Sequence, residues 1–170
     1  KLEAEQKKKP EGFRRLLPQK TPQALEDEGF VIDAGRVSIT SEAVMKDDPL
    51  NMLRLFIIAR RESKDIHPDA LSAITRNLRG LNEEIRSTEE ARELILDAII
   101  GGRDPALILR RMNEAGVLGK AIPEFGGIVA QTQFNMYHHY TVDEHTIRAV
   151  EAIAEMEQVN GERVPLASEI

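Results

Sequence analysis

The chain contains no cysteine in its 170 residues. Disulfides, thiolate metal sites and a cysteine nucleophile are excluded together, and a cytoplasmic setting is expected. No stretch approaches the roughly 20 consecutive apolar residues that a membrane-crossing helix needs, so no membrane partner is expected. The amino end, Lys1-Leu2-Glu3-Ala4-Glu5-Gln6-Lys7-Lys8-Lys9-Pro10, is charged and has no apolar centre, which rules out a secretory signal. It has no initiator methionine, and the other end, Val164-Pro165-Leu166-Ala167-Ser168-Glu169-Ile170, stops where an apolar segment begins; both ends read as cut from something longer. A Gly-rich phosphate loop, a G-x-S-x-G elbow, an H-E-x-x-H pair and a Cys/His cluster are all missing. Positive charge is also in deficit, 23 Lys and Arg against 29 Asp and Glu, for a net charge of −6. An acidic chain repels phosphate backbones unless its basic residues cluster, so no nucleic-acid partner is expected.

What is present is enough for a real core, with 41% hydrophobic residues over a domain-sized length. Residues 1–29 carry a Lys run, Pro10, Pro18 and Pro22 with few apolar side chains, and read as a solvated linker or tail. Phe30–Asp33 and Arg36–Ile39 are β-prone and flank Ala34-Gly35, which predicts a small hairpin, the only strand signal in the chain. From Asp47 onward the period becomes helical. Asp48 before Pro49 caps a helix to about Ser63, with Leu50, Leu53, Phe56 and Ile57 on its apolar face. Leu71, Ile74, Leu78, Leu81 and Ile85 predict one amphipathic helix from Pro68 to about Ile85. Ser87 with Glu90 reads as a capping box for a third helix, closed by Gly101-Gly102. Asp104-Pro105 opens a fourth, which Gly116 stops. A short segment broken by Pro123 follows, and Gly126-Gly127 is expected to be a second helix stop. Thr141 with Glu144 predicts a last helix to about Gln158. The fold class is therefore all-α, a helical bundle with one small β-hairpin near the N-terminus.

The histidines are the remaining chemical lead. His67 precedes a helix-starting proline and reads as a surface or capping residue. His138 and His139 lie in an aromatic stretch, and His145 falls in the first turn of the last helix. On that helix His145 shares a face with Arg148, Ala149, Ala152 and Met156, none of them a good metal ligand. The pattern leaves His145 open between a metal ligand and a packed or capping side chain. Asp143 and Glu144 are first-turn acids favoured by the helix dipole.

Two segments carry a family resemblance. Asp47-Asp48-Pro49-Leu50-Asn51-Met52-Leu53-Arg54-Leu55-Phe56, with Ile66-His67-Pro68-Asp69-Ala70-Leu71, resembles the helical region that follows the nucleotidyltransferase domain of PII uridylyltransferases. The second and more specific match runs through Arg110-Arg111-Met112-Asn113-Glu114-Ala115-Gly116-Val117-Leu118 and Ile122-Pro123-Glu124-Phe125. It continues in Gln133-Phe134-Asn135-Met136-Tyr137-His138-His139-Tyr140-Thr141-Val142-Asp143-Glu144-His145-Thr146, which resembles the start of the HD hydrolase domain of the same enzymes. The likeness spans about residues 30–157. It implies a helical domain over 30–127 and the N-terminal part of an HD phosphohydrolase domain over 128–170. In that family the whole enzyme attaches UMP to the PII signal protein and removes it by metal-assisted hydrolysis. UTP and glutamine are handled by parts of the enzyme absent from this chain.

By the same resemblance His145 is the first histidine of the HD metal-ligand set, for Mg²⁺ or Mn²⁺, and no role follows for His138 or His139. The chain has no His-Asp dipeptide and no transferase metal motif. It is therefore expected to be inactive alone and to hold the ion weakly. An alternative reading is the RNA-binding helical body of a protein resembling tRNA nucleotidyltransferases or poly(A) polymerases. Its basic face would be Arg60, Arg61, Arg76, Arg79, Arg110 and Arg111.

Overall fold

A computed structural model describes residues 21–102, 104–130 and 142–158. The described part opens on a three-stranded antiparallel sheet in the order β1 (Gln23–Ala24), β2 (Phe30–Asp33), β3 (Arg36–Ile39). The expected hairpin is β2–β3, in register from Phe30 opposite Ile39 to Asp33 opposite Arg36. Its turn residues Ala34 and Gly35 have φ of 48° and 80°. Two left-handed residues in succession match the twist of the flanking strands, the reason such turns join tight hairpins. The sheet is one strand larger than expected, because Gln23 and Ala24, in the segment read as linker, pair with Ile32 and Val31. On the far side of β3, Val37 donates to the Asp65 carbonyl and accepts from the His67 amide, both at 2.8 Å. Phe30 and Val37 pass from this sheet into the helical core.

Helix α1 (Ala43–Asp47) is absent from the sequence expectation; it has no side-chain cap and rests on the burial of Met45. Helix α2 (Asn51–Arg61) is the central element, burying Met52, Leu53, Leu55, Phe56, Ile58 and Ala59. Its polar residues Asn51, Arg54, Arg60 and Arg61 form a broad stripe over about half the helix circumference, opposite the buried side. Asp48 caps as expected, accepting from the Leu50 amide at 3.0 Å, although the regular helix begins at Asn51. Arg54 and Arg60 on that stripe fasten helix α5 (Glu89–Ile100) at both ends. Arg54 bonds Asp48, Asn51 and Glu90. Arg60 donates to the Asp97 carbonyl at 2.8 Å, to its carboxylate at 2.7 Å and to the Gly101 carbonyl. A Cβ on Gly101 would lie 2.8 Å from the Arg60 guanidinium, so the expected helix stop is also a docking point for arginine.

The single helix expected from Pro68 to Ile85 is three pieces: α3 (Pro68–Asn77), a 3-10 turn (Leu78–Gly80) and α4 (Glu83–Arg86). The break falls where Asn82 turns its side chain to the Ile85 amide, capping a new helix. The stripe survives the break, with Ile74 and Leu81 fully buried. At α5 the N-cap is displaced by one residue and the expected capping box does not form. Thr88 accepts from the Ala91 amide, Ser87 donates back to the Glu83 carbonyl, and Glu90 leaves the box for Arg54. Helix α6 (Pro105–Glu114) starts as predicted, Asp104 accepting from the Leu107 amide at 2.9 Å, and ends at Gly116 with φ of 74°.

Helix α7 (Val117–Ala121) turns at Ile122 into α8 (Pro123–Ala130). The expected stop at Gly126-Gly127 is wrong, since both glycines lie inside α8. Gly126 is there for close approach: a Cβ on it would sit 2.7 Å from the Gly119 carbonyl oxygen of α7. The last described helix is α9 (Val142–Gln158), which packs on α6 and α8. Its predicted cap, Thr141, lies outside the described residues, as do His138 and His139. The all-α expectation with a small sheet is the observed architecture.

Candidate metal-ligand histidine and its platform

Helix α6 turns Ala106, Ile108, Leu109 and Met112 into the core. That orientation leaves Arg110 and Asn113, three residues apart and so on one face, beside α9. The first turn of α9 meets them with acids. Arg110 Nη2 lies 3.0 Å from Glu144 Oε1 and 3.0 Å from Glu151 Oε2. Asn113 Nδ2 donates to Asp143 Oδ2 at 2.8 Å. Within α9, Arg148 Nε donates to Glu144 at 3.2 Å, and Thr146 Oγ1 donates to the Val142 carbonyl at 2.9 Å. Ile147, beneath the ion pairs, is 1% exposed. The bonds from Arg110 hold the Glu144 carboxyl below its ordinary value, partial burial opposes this, and Arg148 adds to the lowering. Asp143 and Glu144, read from sequence as dipole acids, are anchors.

A helix advances about 100° per residue, so Glu144 and Glu151 fall nearly one above the other and His145 stands about a quarter-turn away. His145 is accordingly exposed, as are Ala149, Ala152, Ile153 and Met156 on the same outward side. Among the described residues no three of His, Cys, Asp and Glu come together as a metal site. The donor chemistry fits one ligand of a divalent site, an accessible imidazole on a fastened turn, and does not make a whole one. His67 is the cap of α3, its Nδ1 accepting from the Asp69 amide at 3.2 Å.

The candidate basic face is largely consumed by acids. Arg60 pairs with Asp97, Arg61 with Asp27, Arg76 with Glu42 and Arg111 with Asp65, while Arg110 is held as described. Arg79 is exposed. A cleft of about 420 Å³ between β3, α3 and α6 is bordered by Arg36, Thr75, Asp65 and Arg111 and lies apart from His145.

The family model described as the third domain of uridylyltransferase GlnD matches residues 30–120. The chain belongs to the GlnD uridylyltransferase family. Its third domain thus runs from β2 to α7, and the family is of nucleotidyltransferase type with PII as its general protein partner. No solved structure matches the chain. Arg110 and Asn113 fall inside the GlnD third-domain span, whereas α8, α9 and His145 lie beyond it. Sequence singles out His145 as a candidate only, assigns Arg110 to the alternative RNA-binding face and gives Asn113 no role, whereas both α6 residues bond the acids of α9. The available signal was complementarity: a basic and an amide residue on α6 facing Asp143, Glu144 and Glu151 on a later helix.

No helix of the described residues is long and apolar enough to cross a membrane.

Proposed function

We propose that this part of a GlnD enzyme joins two catalytic units, carrying a helical domain over 30–127, which includes the third-domain match, and the beginning of an HD phosphohydrolase domain over 128–170. In this reading the whole cytoplasmic enzyme attaches UMP to PII from UTP and removes it by hydrolysis, according to glutamine. His145 is one ligand of a Mg²⁺ or Mn²⁺ ion in the removing site. When bound, such an ion lowers the pKa of a water and polarises the phosphodiester that links UMP to PII. The chain's own part is to hold the imidazole still and accessible. The observation that carries the proposal is the exposed His145 on a turn whose two preceding acids are both fastened to α6.

The outward side of α9 supports the same reading. Ile153 is 58% exposed and Met156 37%, an apolar stripe beside His145 that further helices of an HD domain would cover. With no His-Asp dipeptide and no transferase metal motif in its sequence, the chain alone is proposed to be inactive. The test is His145→Ala in the full-length enzyme, assaying attachment and removal of UMP separately. Removal should fall by at least about a hundredfold, with attachment within about twofold of wild type. Wild-type removal by the variant would refute the assignment.

A further inference from the structure

We infer that Arg110 and Asn113 of the third domain are positioning residues for the hydrolytic site, acting through Asp143 and Glu144 on the imidazole of His145. The inference rests on the proposed role of His145 and adds what sets its place. Three bonds cross from α6 to the acids of α9: Arg110 to Glu144 at 3.0 Å, Arg110 to Glu151 at 3.0 Å, and Asn113 to Asp143 at 2.8 Å. Two of them end on the residues immediately before His145. Glu151 lies two turns further along the same line, so Arg110 fixes both the rotation of α9 and its slide along α6. Ile147 is sealed under these bonds at 1% exposure. An ordinary surface ion pair would grip one point; this set grips the turn on either side of its buried residue.

The anchors and the imidazole also belong to different segments. Arg110 and Asn113 lie within residues 30–120, the matched third domain, and His145 lies outside it. A shift of α6 would therefore move the imidazole as a rigid body and alter removal of UMP without touching attachment. Groups that orient metal ligands are worth about 10–100-fold in metal affinity or activity when removed. Misplacement of a reacting group by an ångström has effects of similar size.

The test uses the full-length enzyme with Arg110→Gln, Asn113→Ala, the two combined, and Arg110→Lys as the conservative variant. In the metal-free protein, amides of residues 143–147 should exchange with deuterium at least about tenfold faster in the combined variant. With Mn²⁺ added, half-maximal removal of UMP should need about tenfold more ion, attachment should stay within about twofold, and Arg110→Lys should recover most of the loss. Unchanged exchange and unchanged Mn²⁺ requirement overturn the inference. So does a parallel fall of both activities in step with a lower melting midpoint, which would mark a purely structural role. His145→Ala measured alongside separates the failures. If it abolishes removal while the α6 variants keep the wild-type Mn²⁺ requirement, only the positioning inference is lost. If it leaves removal intact, the reading beneath it is lost as well.

Discussion

At the scale of single residues, arginine does much of the joining. Arg54 and Arg60 hold α5, Arg110 holds α9, and Arg61 and Arg76 tie Asp27 and Glu42 across long sequence separations. Guanidinium groups suit this because they present several donors in a fixed plane and stay charged. The acids they meet are displaced in consequence. Asp27 lies below its ordinary 3.8, chiefly through its hydrogen bonds to Arg61, and Glu42 lies below its ordinary 4.5, chiefly through Arg76 and then Asn77. A carboxyl whose folded value is depressed stabilises the fold above its unfolded value and loses that contribution as pH falls through the folded one. Both pairs therefore support the fold at neutral pH and lose that support progressively as pH falls below the ordinary 3.8 and 4.5 toward the lowered folded values. The double variant Asp27→Asn/Glu42→Gln should melt below wild type at pH 7, and the gap should narrow steadily as pH is lowered through the acid range; a series of thermal melts checks this, and a gap that widens toward acid would contradict it. None of these pairings was legible in the sequence. They link residues more than thirty positions apart, and local spacing carries no record of such contacts. Arg60, Arg61, Arg76 and Arg110 looked like part of a possible RNA-binding face for that reason.

At the scale of elements, the sequence was readable wherever the deciding chemistry is local. Asp48 and Asp104 cap their helices as expected, and Ala34-Gly35 makes the tight turn of the hairpin. The failures share one cause. The stripe from Leu71 to Ile85 keeps helical spacing across a break, because residues of a 3-10 turn and a short second helix can still face one core. Thr88 wins the cap of α5 over Ser87 because Arg54 draws Glu90 away from the box. Gly126 was read as a stop because glycine weakens helices, yet here its missing Cβ lets α7 and α8 touch. Gly126→Ala should therefore destabilise the protein by about 1–3 kcal/mol despite alanine's better helix propensity. Chemical denaturation measures it, and a gain in stability would mean that the α7–α8 contact is looser than described.

At the scale of the whole molecule, a sheet and a helical body within the GlnD third-domain span are followed by α8 and α9, and the candidate ligand His145 sits on α9. His145 was legible as a candidate in the sequence because its motif is local, Val142-Asp143-Glu144-His145-Thr146. Its platform was not, because α6 and α9 meet only in the folded chain. In the domain the core fixes α6, Arg110 and Asn113 of α6 bond the acids of α9, and that helix carries the His145 imidazole; the mechanical role proposed for the domain follows from this chain of contacts. Its chemistry is completed only if that imidazole ligates a metal. The most direct measurement is the number of Mn²⁺ ions bound tightly by the full-length enzyme, wild type against His145→Ala, by electron paramagnetic resonance of the free ion. If His145 ligates the metal, the variant binds one ion fewer while keeping its ability to attach UMP. Equal numbers of bound ions in the two proteins would contradict that ligation.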